Sequence, residues 1–375
     1  MASPRVLLAF DYFARYTAGL ARGMRSNGWS PALAYRQHDH AFGGEAGALD
    51  HHLRRALGEE IPRFVVPGRV RDVSALPPAI RASRAIRRWH PDVVHAQYCI
   101  PNDPRLGVVL PLRRGAFALT VHDVTTHPGD PRPARHKYLH GRWLIRHAGV
   151  IFVHAESLHE RLVREFETGA PIVVVPHGTE SAELGPLPEQ PSLLFFGRLS
   201  EYKGLNVLLD ALPAVWLSRP DVTLTVAGAG DLATHPVLDD PRVTVVHRHV
   251  DDEEVPELFR AASLIVLPYI EASQSGVGSL AKGYGRPLVA SAIGGLPELL
   301  SDGSGALVEP GSPRELAKQI VALVEDRKLL ERHAAAGLRS AEAGSGWTGV
   351  AAATIAAYER HLPLENRPRP SSARA

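Results

Sequence analysis

Two short stretches hold the residues best suited to chemistry, and both could grip an anion. The first is RLSEYKGLNVLLDAL, where Arg198 leaves the apolar run SLLFFG and Lys203 opens a helical pattern. Arg offers a planar fork of N–H donors and Lys a compact point charge, so the pair suits the two phosphates of a diphosphate. A Lys at a helix amino terminus also opposes the helix dipole unless an anion lies between them. Two exposed surface cations are the plain alternative. The second stretch is YIEASQSGVGSLAKGYG, Tyr269 to Gly285, directly after SLIVLP. Here the Ser-Gln-Ser-Gly element, Ser273 to Gly276, links a strand pattern to a helix pattern. A helix start carries unpaired backbone N–H groups and a partial positive charge, and small side chains let an anion approach them. Ser and Gly are equally ordinary helix caps.

These stretches need elements to hold them, and the sequence supplies a regular series. Apolar runs in the first half are RVLLAF, SPALAY, FVV, DVVHA, FALTVH, VIFVHA and IVVVP; in the second they are SLLFFG, VTLTVAG, VTVVH, SLIVLP, RPLVAS and ALVEP. Continuous apolar strands separated by amphipathic helical segments predict parallel sheets covered on both faces. Two such series predict an α/β protein of two doubly wound, Rossmann-like domains. Residues 1–178 form the first domain. The polar, Pro-rich ESAELGPLPEQPS holds a linker at 179–191, and residues 192–346 form the second domain. A final helix over 347–362 could cross back to the first domain, and 363–375 reads as a disordered tail. Ligands of open α/β sheets bind beyond the carboxyl ends of the strands, so two such domains would face each other across a cleft.

Composition narrows the class. The chain has 375 residues, 42 Lys and Arg against 40 Asp and Glu, and one cysteine, Cys99. A single cysteine excludes an internal disulfide and a thiolate metal cluster, and fits a reducing, cytoplasmic setting. The opening MASPRVLLAFDY reads as a first buried strand rather than a signal peptide, and no run reaches membrane-span length. Charge is unevenly placed. Residues 1–176 carry 24 basic and 15 acidic side chains, net +9, and the remainder 18 and 25, net −7. A basic half beside an acidic half points to an anionic partner for the first domain, or to nothing more than surface arginines.

FFGRLSEYKGLNVLLDAL, GYGRPLVASAIGGLPELL, GALVEPGSPRELAKQI and VPHGTE resemble the nucleotide-sugar glycosyltransferases of GT-B fold in family four, with HPDVVHAQY and LTVHDV similar in kind. The resemblance implies transfer of a sugar from a UDP- or GDP-linked donor to a hydroxyl acceptor with retention, with no metal and no cofactor beyond the co-substrate. It implies that Arg198 and Lys203 hold the donor diphosphate and that His122 faces the transferred sugar. Donor contacts would come from Gly197, Gly228, Gly230, His249, Val250, Glu271, Gln274, Ser275, Gly276 and Val277. The first loop, FDYFARYTAGL, would touch the acceptor through Phe13, Arg15 and Tyr16, with Asp123 beside His122. Two departures stand out. The common family pattern places two Glu with seven residues between them, but Ala272 and Leu280 occupy those positions, with Glu271 one place off; the chain is similar instead to a sub-group carrying EASQSGV. And where many members have a Gly pair after the first strand, this chain has bulk.

Lesser signals admit plainer readings. VAGAGD, Val226 to Asp231, gives a Gly-rich turn, and two glycines alone are weak evidence. VVHRHVDDEE is as readily a plain loop. His136 and His140 share a helix face without a third ligand in view, which favours surface histidines over zinc. RASRAIRRW, Arg81 to Trp89, could lie on anionic lipid or be a solvated face. The expected partners are thus a nucleoside-diphosphate sugar, a lipid-linked or small-molecule acceptor and a peripheral membrane contact, with no nucleic acid, at the cytoplasmic or inner membrane face. Rivals are a nucleotide-sugar epimerase of the same fold and an inactive glycosyltransferase-like partner protein.

Overall fold

The computed structural model describes residues 3–36, 47–66, 76–99, 116–124, 135–182, 184–232 and 234–364. The predicted tail from 365 onward and the side chain of His136 lie outside the described residues. Every predicted apolar run forms a strand. The first sheet holds β1 (Arg5–Phe10), β2 (Ser30–Arg36), β3 (Arg63–Val66), β4 (Val93–Cys99), β5 (Phe117–Asp123), β6 (Val150–Val153) and β7 (Ile172–Val174). The second holds β8 (Ser192–Phe196), β9 (Thr223–Ala227), β10 (Val243–Val246), β11 (Leu264–Leu267), β12 (Leu288–Ser291) and β13 (Gly305–Val308). Their orders are β3-β2-β1-β4-β5-β6-β7 and β10-β9-β8-β11-β12-β13, and the pairings are parallel. In each, the chain reverses direction beside the central strand, which is the switch point where such sheets bind ligands.

Helices cover both faces, and this explains why the strands read as unbroken apolar runs. In β1, Val6, Leu8 and Phe10 enter one core while Leu7 and Ala9 enter the other. In β8, Leu193 and Phe195 split from Leu194 in the same way. The helices of the first domain are α1 (Ala14–Ser26), α2 (Ala48–Leu57), α3 (Leu76–Trp89), α4 (Arg135–His147) and α5 (Glu156–Glu165). Those of the second are α6 (Leu205–Ser218), α7 (Val255–Arg260), α8 (Gly276–Gly283), α9 (Leu296–Leu299), α10 (Pro313–Glu325) and α11 (Arg327–Ala343), with a 3₁₀ turn at Glu201–Lys203 before α6. No helix among the described residues is long and apolar enough to cross a membrane.

The last helix, α12 (Trp347–His361), packs on the first domain. Its Tyr358 hydroxyl meets Nδ1 of the buried His95 at 2.5 Å, and the other ring nitrogen of His95 meets the Thr120 hydroxyl at 2.7 Å. At its amino end the Trp347 ring fits against two glycines. A Cβ on Gly19 would lie 2.1 Å from that ring, and one on Gly178 2.3 Å. The absent side chains let α1 and the 178 turn close on the indole.

An ordinary Gly→Ala change inside a helix is stabilising by roughly 0.5–1 kcal/mol. At Gly19 the sign should reverse, because the methyl overlaps Trp347, with a loss of about 1–3 kcal/mol. Urea unfolding of Gly19→Ala in the native and Trp347→Ala backgrounds checks this; the loss should largely vanish in the second.

Candidate active site

The corner beyond β8 is built around one ammonium group. Lys203, on the 3₁₀ turn, is only 7% exposed. Its Nζ sits 5.4 Å from the centre of the Tyr269 ring. Among the described residues no carboxylate lies within ion-pair distance of it. Burial pushes its pKa down, Tyr202 opposes this, and the nearby Arg198 adds to it. Arg198 itself is exposed, its guanidinium 6.0 Å from the centre of the Tyr202 ring. Gly197 has φ 107, and a Cβ there would come within 2.8 Å of the Lys203 Nζ and 3.3 Å of Val277. Glycine therefore keeps the ammonium accessible from the strand end.

The start of α8 closes the same corner and settles how a cap and an open helix end coexist. Ser275 is the N-cap: its Oγ accepts the N–H of Gly278 at 3.1 Å and lies 3.3 Å from the Tyr269 hydroxyl. That bond satisfies the third helical N–H. The first two, on Gly276 and Val277, have no intrahelical acceptor by helix geometry. Gly276 is exposed, and a Cβ there would reach only ordinary contact with His177, at 3.5 Å. Gln274 Oε1 and Ser200 Oγ are buried with no hydrogen-bond partner among the described residues. Lys203, Arg198 and two helix-end N–H groups thus bring positive potential to one corner.

The other expected donor residues have these surroundings. Gly228 and Gly230 let the loop after β9 lie against the loop after β8: added Cβ atoms would strike the Gly197 and Leu199 carbonyl oxygens at 1.9 and 2.1 Å. Val250 places its side chain in the core. Only its backbone can meet a ligand. His249 is half-buried, 3.9 Å from Asp251. Glu271 lies 3.8 Å from Arg161 of the first domain.

Across from this corner the expected acceptor side departs further from expectation. His122 is wholly buried, and its face is covered by Phe13, with ring centres 3.8 Å apart and planes at 13°. It does not open on the cleft in this state. Tyr16 is also buried, wedged among His122, His154, His177 and Trp347, so it is a core residue rather than an acceptor contact. Arg15 does face the second domain. It binds Asp252 at 2.6 Å, which His52 also holds, while Arg55 pairs with Glu253. Asp123 is half-buried at the end of β5. Sequence reasoning missed the places of Tyr269, beside the Lys203 ammonium, and of Gln97 and His154, against His122; Tyr269 and His154 follow strands, and Gln97 lies within β4. It also missed Glu298, whose carboxylate accepts the N–H groups of Glu156 and Ser157 at 2.7 and 3.1 Å and so caps α5 from the opposite domain.

Two parallel α/β sheets with strand-end loops apposed, and a cationic corner at a helix start, define the GT-B glycosyltransferase architecture. HepE of Anabaena, solved with UDP and glucose, shares it at a TM-score of 0.69 and 18% identity, over 96% of this chain and all of that one. Family models agree: Glycosyltransferase Family 4 matches residues 13–183, and Glycosyl transferases group 1 matches 190–326. A phosphatidyl-myo-inositol mannosyltransferase of Mycobacterium leprae is 30% identical over 300 residues, covering 73% of this chain and 76% of its own length. A glycogen synthase of Mycobacterium tuberculosis is 29% identical over 303 residues, covering 76% and 72%. The chain belongs to glycosyltransferase family 4.

A buried cation with no counter-ion destabilises a ligand-free protein. Lys203→Met should therefore raise its melting temperature while removing any shift caused by an added nucleoside diphosphate, and thermal melts with and without UDP or GDP check both parts. The histidine cluster predicts acid lability. Burial holds His122 well below 6.5, His95 and His154 at about 3, and the partly exposed His177 at about 4. These rings stay neutral when folded but take up protons when unfolded. The stability they support is complete above about pH 6.5 and falls as pH drops toward 4, by up to about 1.4 kcal/mol per pH unit for each ring. Urea midpoints between pH 7 and pH 4 give the slope, and a flat profile would contradict the neutral cluster.

Proposed function

We propose that this enzyme transfers a sugar from a nucleoside-diphosphate sugar, UDP- or GDP-linked, to a hydroxyl acceptor with retention of configuration, without a metal. The observation that carries the reading is the buried Lys203 ammonium, unpaired by any carboxylate among the described residues, beside the exposed start of α8. A diphosphate supplies the missing negative charge at that place. The absence of an Asp-x-Asp motif, together with two cations in the expected position, supports metal-free turnover. HepE was solved with UDP and glucose, and the named relatives are sugar transferases, which supports the donor class.

The chemistry follows from charge. The bond between the anomeric carbon and the phosphate oxygen breaks, its electron pair leaves with the diphosphate, and positive charge grows on the sugar ring. Arg198, Lys203 and the N–H groups of Gly276 and Val277 stabilise the departing diphosphate. The acceptor oxygen forms its bond on the face the diphosphate leaves, and its proton passes to the leaving phosphate oxygen. The first domain receives the lipid-linked or small-molecule acceptor, and its basic helix α3 offers a face for a peripheral membrane contact.

Replacing Arg198 or Lys203 with Ala should weaken nucleoside diphosphate binding by about 1.5–3 kcal/mol each, as for a charge-assisted hydrogen bond. Calorimetry with UDP and GDP measures it, and unchanged affinity in both variants removes this corner from the mechanism. Turnover should persist in excess chelator. Donor consumption that proceeds without any acceptor, to an isomerised nucleotide sugar, would instead make the protein an epimerase.

A further inference from the structure

Helix α5 starts without a cap of its own. Its N-cap residue is Ala155, extended at φ −153 and ψ 150, and a methyl group accepts no hydrogen bond. The first N–H groups of the helix are met from the other domain instead. Glu298 Oε2 accepts from the Glu156 N–H at 2.7 Å, and Oε1 from the Ser157 N–H at 3.1 Å. A carboxylate is favoured there by the charge-assisted bonds and by the helix dipole together. About one turn further along α5, Arg161 faces Glu271, also of the second domain. Glu271 and Glu298 both stand on segments that border the Ser-Gln-Ser-Gly element.

The packing at Gly295 shows what this contact holds. The Gly295 N–H donates to the Ser273 carbonyl at 3.1 Å. A Cβ on Gly295 would lie 2.7 Å from that oxygen and 2.8 Å from the Ala155 Cβ. The turn before α9, the Ser-Gln-Ser-Gly loop and the entry to α5 therefore close on one point, and only a glycine leaves room for it. Behind that point α9 is braced on α8. The Lys282 ammonium donates to the Leu299 carbonyl at 2.9 Å, and the Leu299 side chain fills the space that Gly278 leaves. A four-residue helix held at both of these places shifts together with α8. What holds Glu298 thus also holds the exposed N–H groups at the start of α8.

Resting on the nucleotide-sugar reading above, we propose that Glu298 is a positioning residue for the donor: by capping α5 from the second domain it fixes the Ser-Gln-Ser-Gly loop and the start of α8 against the first domain. It acts through α9 and Ser273 rather than by touching the phosphates. Binding of the donor and apposition of the domains then support each other. By linkage the effect is reciprocal: a bound donor strengthens the cap as much as the cap strengthens donor binding.

Two measurements separate this from a cap that merely stabilises α5. Glu298→Ala removes the cap supplied across the domains, and Ala155→Ser gives α5 a cap of its own in a backbone shape that suits it. The melting temperature should fall in Glu298→Ala and recover when Ala155→Ser is added. Affinity for UDP-glucose or GDP-mannose, by calorimetry, should fall at least about fivefold in Glu298→Ala and stay low in the double variant, with Ala155→Ser alone as its reference. A double variant that regains both stability and donor affinity overturns the inference and leaves the proposed function standing. The second measurement needs no donor. Amide hydrogen exchange over residues 271–280 should quicken in Glu298→Ala, while exchange in β8 and β9 stays native. A folded Glu298→Ala variant with native exchange over 271–280 overturns the inference, because a cap local to α5 would leave the second domain untouched. If neither nucleotide sugar binds the native protein, the proposed function fails, and the exchange measurement still decides whether Glu298 positions the start of α8.

Discussion

A buried ammonium with no counter-ion among the described residues is the constraint around which the second domain is arranged. Lys203 is held there by a 3₁₀ turn and by the packing of Tyr269 against it. The glycine at 197 keeps the strand end clear, and the glycines at 228 and 230 let the neighbouring loop close behind it. The helix that follows SLIVLP then aims its amino terminus at the same corner. Each feature is unremarkable alone. Together they hold positive potential in a place where no carboxylate among the described residues neutralises it, and such a fixed charge is the form of preorganisation that electrostatic catalysis uses.

The two domains meet largely through charge. Arg15 and His52 hold Asp252, Arg55 holds Glu253, and the Glu298 carboxylate caps α5 from across the cleft. The net charges of the two halves, +9 and −7, match this arrangement. Exposed ion pairs of this kind are individually weak and screened by salt, so the contact suits domains that open and close rather than a permanent seam. The apolar tie between the domains lies elsewhere, where α12 returns to the first sheet and Trp347 sits on Gly19 and Gly178. One side of the molecule is thus fixed by packing and the other is held by charge.

What the sequence by itself determined is the frame. Strands buried on both faces must be apolar throughout, so all thirteen were readable as runs, and parallel connection followed from the helical segments between them. The cationic corner was also legible, because strand-end positions follow directly from that frame: Arg198, Lys203 and the Ser275–Gly276 helix start all lie where the runs end. What only the tertiary structure decided is how side chains from distant segments cover one another. The family resemblance pointed Tyr16 and His122 at the cleft, yet Phe13 and Trp347 enclose them. That Gly228 and Gly230 must be glycine because backbone atoms some thirty residues away fill the space beside them was not readable from the sequence. Glu298 caps a helix more than 140 residues distant. Periodicity reports which face a residue takes within its own element. It carries no record of which element will pack on that face, because that depends on contacts whose partners are far apart in the chain.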